Sequence, residues 1–326
     1  MRTFLVKRLL SAIPLVLAVT FVTQALLVLS PYNYLTTLKE GKGMSDQALE
    51  VLTHQFHLES NNVFVRYWYW LWQSLHGNFG YSFKYNQAVW SLIWERMFNT
   101  LLLTGSALII SWGVAIPLGA IAAVKRDTWI DRTIGFFSFI GLSLPAVFFS
   151  LLMLLLAAKT GWFPLGPLHD AGRYWDTFSP IQKLGDVLWH LVLPATVLGT
   201  IGIGQYMRQM RGEMIETLSQ DYITTAKAKG LSQWRIVTRH AIPNALNPLI
   251  SLFGFSLAFL LAGAIVTEYI FSWPGMGRLT FEALRDKDEP LVMGTVVLLT
   301  LMLVAGSVIS DLLLGFMDPR IRLEGR

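Results

Sequence analysis

The stretch that decides the fold is residues 208–247, RQMRGEMIETLSQDYITTAKAKGLSQWRIVTRHAIPNALN, which lies between two long apolar segments. Most of this polar, cationic stretch has the composition of helices. Gly230 is expected to end a first helix, because glycine adopts a left-handed backbone at no steric cost. Ser232 is expected to cap a second helix and Pro243 to end it, because proline disfavours helical geometry at the preceding residue. We interpret this bent pair of helices as a docking surface for another protein.

The composition of the chain indicates a polytopic membrane protein. Of the 326 residues, 14% are charged and 53% are hydrophobic, whereas soluble domains carry about 25% charged residues. The net charge of +5 could point to nucleic acid, but the basic residues flank apolar segments, which is typical of membrane topology. The chain has no cysteine, so disulfides and cysteine-based metal sites are excluded.

Six segments are apolar and long enough to cross the hydrocarbon core of a bilayer, which takes about 20 residues. They are residues 9–29, 100–124, 134–158, 188–207, 246–267 and 291–316. The first resembles a signal peptide, but its apolar run is too long and no A-x-A cleavage site follows it. We therefore expect an all-α, polytopic membrane protein with six transmembrane helices, the first of them uncleaved.

The distribution of basic residues predicts the orientation of these spans. With six spans both termini lie on one side, and that side carries 15 Lys and Arg against 11 on the other. Cytoplasmic loops carry the excess of basic residues. Both termini and the 208–247 stretch are therefore predicted to be cytoplasmic.

The long segment after the first span is predicted to form an external cap of short helices. Residues 46–56 have apolar side chains on one helical face, and residues 63–75 are crowded with Tyr and Trp. Aromatic rings of this kind favour the lipid headgroup zone. The predicted regions are 1–98 (first span and cap), 99–317 (a five-span core with a cytoplasmic loop at 208–245) and 318–326 (a cytoplasmic tail).

Side chains that could carry chemistry are few. No G-x-x-x-x-G-K-[ST] motif is present, so ATP hydrolysis through a Walker motif is excluded. His54 and His57 could share a helical face as zinc or nickel ligands, although two exposed histidines explain the pattern more simply. Glu268 and Asp311 lie at span ends, where nearby water favours an interfacial role over a place in a transport path. Gln205 could line such a path or bond between helices.

Two short runs resemble the cytoplasmic loop of ABC importer permeases. They are DYITTAKAKGL at 221–231 and HAIPNA at 240–245, and the likeness is to the peptide/nickel group, dipeptide or oligopeptide permease B type. Ala226, Gly230 and Pro243 match the general importer pattern, E-A-A-x-x-x-G followed by I-x-L-P. The positions that depart from that pattern are Thr224, Thr225, His240 and Ile242.

Further stretches extend the resemblance over the whole chain. They are KRLL at 7–10, HGNFGYS at 76–82, FSWPGMGR at 271–278 and DPRIR at 318–322. Two external stretches, SPYN at 30–33 and RDKDEP at 285–290, differ from the family's usual sequence.

The resemblance implies a type I ABC importer permease fold in a bacterial inner membrane, and a transport subunit that is not itself an enzyme. The implied partners are a second homologous permease, two ATPase subunits that bind ATP and Mg, an external solute-binding protein and the lipid bilayer. No cofactor and no nucleic acid is expected to bind this chain. The implied cargo is di- or oligopeptides, with nickel chelates, oligosaccharides and antimicrobial peptides as alternatives. A secondary transporter and a membrane scaffold are the rival classes.

The resemblance also implies two functional surfaces. Coupling to the ATPases is assigned to Asp221, Tyr222, Thr224, Thr225, Ala226, Lys229, Gly230 and Pro243. Ala226 is expected to pack close to an ATPase groove, and Gly230 to set the corner. An external gate or receptor contact is assigned to Phe271, Trp273, Pro274, Gly275, Gly277 and Arg278.

Overall fold

The structure is a computed structural model that describes residues 2–30, 62–169 and 175–317. Over these residues the chain is helical, apart from turns, loops and one isolated bridge between Tyr81 and Ala88. The α-helices are α1 (Arg2–Leu29), α2 (Val63–Leu75), α3 (Val89–Val124), α4 (Trp129–Ser143), α5 (Ala146–Thr160), α6 (Pro180–Leu218), α7 (Asp221–Ala228), α8 (Gln233–Ile236), α9 (Ile242–Ser251), α10 (Phe253–Ile270), α11 (Met276–Asp286) and α12 (Glu289–Met317). The all-α prediction is thereby confirmed. The amphipathic 46–56 segment, His54, His57, residues 31–33, the DPRIR run and the tail lie outside the described residues.

Four of these helices are long and apolar enough to cross a membrane, namely α1, α3, α6 and α12. The third predicted span is not one continuous helix: α4 and α5 meet at a bend of 97°. Pro145 causes the break, because it pushes the preceding Leu144 to an extended ψ of 117°. Counted as one span, the bent pair brings the total to five. The predicted fifth span is also divided, between α9 and α10, so the count of six stays a prediction.

The contacts divide the chain into two compact units. Of the described residues, the first unit comprises 100–169, 175–273 and 305–317, and the second comprises 2–30, 62–99 and 274–304. The contacts thus place α11 and the first part of α12 with the N-terminal residues. The domain boundary predicted between residues 98 and 99 stays a prediction.

In the first unit, α6 packs closely against α3 and α4 at positions that lack a side chain. A Cβ on Gly119 would come within 2.7 Å of the Met207 carbonyl, and one on Gly204 within 2.7 Å of the Ser138 carbonyl. The Ser138 hydroxyl donates a hydrogen bond of 3.0 Å to the Gly204 carbonyl. Small residues therefore let these helix backbones approach, as they do in other membrane bundles.

In the second unit, the core joins α3, α11 and α12. Val89, Ile93, Met276 and Leu291 are fully buried in it. A Cβ on Gly294 would meet the Val89 side chain at 2.5 Å, so this contact also depends on a glycine. The aromatic side chains of α2 that point away from the core are exposed: Phe64, Trp68 and Trp72. Their predicted place in the headgroup zone stays a prediction.

Candidate functional site

The polar stretch forms a sharp corner after α6. Helix α7 ends at Ala228, Lys229 is its C-cap, and Gly230 follows with a φ of +76°. The Leu231 amide donates to the Ala226 carbonyl at 3.3 Å, and the Gly230 amide donates to the Lys227 carbonyl at 2.9 Å. These two bonds are the Schellman arrangement, which satisfies carbonyls that a helix end leaves unpaired. The predicted corner at Gly230 is confirmed.

The inner face of α7 is anchored within its own subunit. Ile223 is fully buried and Ala226 is 8% exposed, and both belong to a core cluster with Met210 and Met214 of α6. Ala226 thus holds the helix to its own bundle. The expectation that it packs close to an ATPase groove stays a prediction.

The outer face of α7 and the start of α8 are exposed. The exposed members of the predicted coupling set are Asp221, Tyr222, Thr224, Thr225, Lys229 and Gly230, together with Pro243 of α9. Trp234 is 77% exposed beside them, although sequence reasoning did not single it out. The sequence does indicate this exposure, because the residues around Trp234 are polar and cationic and offer no apolar core in which a tryptophan could be buried. Large exposed aromatic side chains are typical anchors of protein interfaces.

Pro243 does not end the second helix, contrary to the prediction. Residues Val237–Ala241 form a π-helical turn, and Ile242 keeps helical angles of φ −55° and ψ −48°. The Ile242 amide donates to the Val237 carbonyl, five residues back. This wider turn carries the helix past proline, which sits in the first turn of α9, where its missing N–H leaves no bond broken. Ser232 occupies the cap position of α8, but its side chain makes no capping bond.

An ion pair joins the beginning of α4 to the last part of α6. Arg211 donates from Nε to one Asp131 oxygen and from Nη2 to the other, both at 2.7 Å. The Asp127 amide adds a bond of 3.0 Å to the same carboxylate, which is buried. In the sequence analysis, Asp131 and Arg211 counted only among the charged residues that flank the membrane spans. In the structure they hold the helix that leads into the corner.

Comparison with known proteins decides the class of this chain. A model of the family described as "Binding-protein-dependent transport system inner membrane component" matches residues 115–323. A second model, for the N-terminal part of such components, matches residues 1–104. The chain belongs to this family. It is a permease of the ABC importer class, as its resemblance to that class implies.

Two curated relatives and two solved structures extend this result. The permease is 33% identical to the oligopeptide transport system permease protein AppB of Bacillus subtilis, over 98% of this chain and 99% of that one. It is 34% identical to the dipeptide transport system permease protein DppB of Escherichia coli K12, over 99% of both. Two inward-facing crystal forms of the MetNI methionine ABC transporter match 70% of the permease with TM-scores of 0.54 and 0.55 and 17% identity. At that identity the structural match shows the fold alone.

The residues predicted at span ends differ in their surroundings. Glu268 of the permease is 0% exposed, and Thr100 donates a hydrogen bond of 2.6 Å to it. The expectation of nearby water at Glu268 is therefore wrong. Asp311 is half-buried in α12, and Gln205 is exposed on α6. A place for any of the three in a transport path stays a prediction.

The residues of the predicted external gate differ in how deeply they are buried. Phe271 and Trp273 are buried in the first unit of the permease, so these two side chains are not surface contacts for a receptor. In the second unit, the Pro274 carbonyl accepts a hydrogen bond of 2.8 Å from Asn99. Arg278 donates from Nε to Glu282 at 2.8 Å. Gly275, in an extended conformation, precedes α11, and Gly277 is buried in its first turn. The gate itself stays a prediction.

A charged cluster lies beside Arg278 in the second unit. Glu282 accepts hydrogen bonds from the Tyr85 hydroxyl at 2.5 Å and from Lys84 at 3.3 Å, besides that from Arg278. Burial favours the neutral form of Glu282, but the bonds from Tyr85 and Arg278 and the charges of Lys84 and Arg278 outweigh it and lower its pKa to about 2. Glu282 therefore stays ionised at neutral pH and joins α11 to the chain before α3.

Proposed function

We propose that this permease imports peptides, and that its exposed cytoplasmic corner is driven by an ATPase subunit. The peptide cargo is supported by the printed names of the relatives, which describe oligopeptide and dipeptide transport. The observation that carries the coupling proposal is the contrast between the two faces of α7. One face is locked into the permease by Ile223 and Ala226, and the other presents Tyr222 and the neighbouring Trp234.

This arrangement suits the transmission of movement. A helix that is anchored along one face moves together with the core that holds it, here Met210 and Met214 of α6. The pair of Asp131 and Arg211 ties the same part of α6 to α4. A push on the corner would therefore reach two further helices of the first unit. Such coupling requires a bistable element that both partners bias.

The proposed assembly contains this permease, a second homologous permease, two ATPase subunits that bind ATP and Mg, and an external solute-binding protein. It lies in a bacterial inner membrane, with both termini of this chain in the cytoplasm. The coupling surface comprises Asp221, Tyr222, Thr224, Thr225, Lys229, Gly230, Trp234 and Pro243, all of them exposed, with buried Ala226 as an internal support.

The experiment compares two exposed tryptophans on opposite predicted faces of the membrane. Trp234 is 77% exposed at the corner, and Trp162 is 69% exposed in a predicted external loop. We expect Trp234→Ala to lower recovery of the ATPase subunits with the purified permease by about tenfold or more, because interface anchors cost about 2 kcal/mol or more on truncation. Trp162→Ala should leave recovery unchanged. Equal recovery from both variants would refute the coupling surface.

The cargo is tested separately, by uptake into proteoliposomes that contain the whole importer. We expect a labelled dipeptide to accumulate only when ATP is present. Accumulation of a nickel chelate or an oligosaccharide instead, with no uptake of peptide, would replace the peptide assignment by one of those cargoes. Uptake that persists without nucleotide would favour a secondary transporter.

A further inference from the structure

A cavity of about 350 Å³ opens in the second unit, between the end of α1, the helix α2 and the beginning of α12. The predicted topology places it on the external side. Its walls include the aromatic side chains of Tyr69, Trp70, Phe79 and Tyr81. Pockets of about 300 Å³ or more with apolar walls and a few polar groups are typical of small-ligand sites.

A half-buried ion pair forms the polar floor of this cavity. Arg66 of α2 donates from Nη2 to Glu289, and Gln24 of α1 donates from Nε2 to the other oxygen of the same carboxylate at 2.7 Å. Gln24 is 1% exposed and the Arg66 side chain is 9% exposed. Because a carboxylate only accepts hydrogen bonds, the contact with Glu289 fixes which end of the Gln24 amide is nitrogen.

Two polar groups around this floor lack a hydrogen-bond partner within the described ranges. They are the Gln24 Oε1 atom and the Trp70 indole N–H. Buried polar atoms nearly always have a partner, and an orphan group calls for an explanation such as a bound molecule. Gln24 offers an acceptor, whereas Trp70 offers a donor. The guest that complements them carries both an N–H group and a carbonyl or carboxylate oxygen.

We propose that this cavity binds a short peptide on its way to the transport path. A peptide group presents an N–H for Gln24 and a carbonyl for Trp70. The aromatic walls accept an apolar side chain of the guest. The proposal rests on the peptide cargo of the proposed function and adds to it a site on this chain.

The test uses the full-length permease in lipid nanodiscs and phenylalanylalanine as the probe, with binding followed by calorimetry. Trp70→Phe removes the indole N–H but keeps an aromatic ring. We expect it to weaken binding about two- to tenfold, since a net hydrogen bond contributes about 0.5–1.5 kcal/mol. The matched control is Trp72→Phe, on the same helix with its ring exposed, which should bind as wild type does.

A second pair of variants tests the acceptor. Gln24→Met keeps the length of the side chain and removes both its oxygen and the nitrogen that donates to Glu289, so binding should weaken by at least a similar factor. Its control, Thr23→Val, alters a neighbouring hydroxyl that bonds only to the Val19 carbonyl of its own helix. Monodisperse elution of each variant shows that it is folded. No binding of the probe by wild type, or equal affinity of Trp70→Phe and Trp72→Phe, would overturn the site.

Two further arms separate this inference from its premises. If the whole importer accumulates peptide while the variants bind like their controls, the site fails and the proposed function stands. If the probe binds as described but the importer accumulates no peptide, the proposed function fails and the site is a peptide-binding site without that role.

Discussion

Arg211 donates a hydrogen bond of 2.7 Å to each carboxylate oxygen of Asp131, although the two residues are 80 positions apart in the chain. Two parallel bonds of this kind fix geometry as well as supply energy. The carboxylate of Asp131 is buried and the guanidinium of Arg211 is half-exposed, so this ion pair is shielded from water more than a surface pair and less than a fully buried one. It connects the beginning of α4 with the part of α6 that leads into the corner.

Loss of this pair is expected to loosen the corner. Asp131→Asn should lower the free energy of unfolding by about 1–3 kcal/mol, because charged hydrogen bonds contribute in that range and Arg211 loses its counter-charge. Thermal denaturation of the purified permease measures the change. Asp127→Asn is the control: its exposed side chain pairs only with exposed Arg126, so the cost should be under about 1 kcal/mol. Equal losses in the two variants would contradict a structural role for the Asp131 pair.

The corner itself is tested at Gly230. A Cβ there would meet nothing within 4 Å, but the φ of +76° is strained for any side chain. Gly230→Ala should therefore cost about 1–2 kcal/mol and reduce ATP-driven uptake, and Gly230→Val should reduce it further. The matched control is Gly212→Ala in α6, where space is equally open and the backbone is helical. That variant should be neutral or slightly stabilising. Normal uptake by Gly230→Val with normal insertion would show that the corner has no coupling role.

The sequence predicted this corner because its cause is local: a glycine, with helix-forming residues before it and a serine two positions after it. It did not predict the π-helical turn before Pro243. Proline disfavours helical geometry at the residue before it, but here a wider turn keeps the backbone hydrogen bonds continuous, and the helix runs on past the proline. The sequence predicted one span over residues 134–158, where the structure has a break of 97° before α5. The pair of Asp131 and Arg211 and the burial of Glu268 depend on which helices become neighbours, so one sequence alone gave no signal for them.

Close packing of α4 on α6 is expected to be sensitive to a single methyl group. A Cβ on Gly204 would lie 2.7 Å from the Ser138 carbonyl, which cannot move without displacing the α4 backbone. Gly204→Ala should destabilise the permease by about 1–3 kcal/mol, as overpacking of a dense interior does. Gly135→Ala, on α4 with open space around it, provides the control. A melting temperature of Gly204→Ala equal to that of the control would show that the two helices lie farther apart than described.

The cluster around Glu282 makes stability depend on acid pH. Its folded pKa of about 2 lies below the ordinary 4.5, since Tyr85, Arg278 and Lys84 favour the ionised form over the opposing effect of burial. A depressed carboxylate pKa contributes stability that is fully present above the unfolded pKa and is lost as pH falls through the folded one. Wild type should therefore lose stability between about pH 4.5 and 2.

Glu282→Gln should be less stable than wild type at pH 7 and lose less stability between about pH 4.5 and 2. The control is Glu95→Gln, at an exposed site, which should keep the wild-type dependence of stability on pH. Unfolding followed by tryptophan fluorescence across this range measures the difference, and parallel profiles for Glu282→Gln and wild type would remove Glu282 as a source of the acid sensitivity.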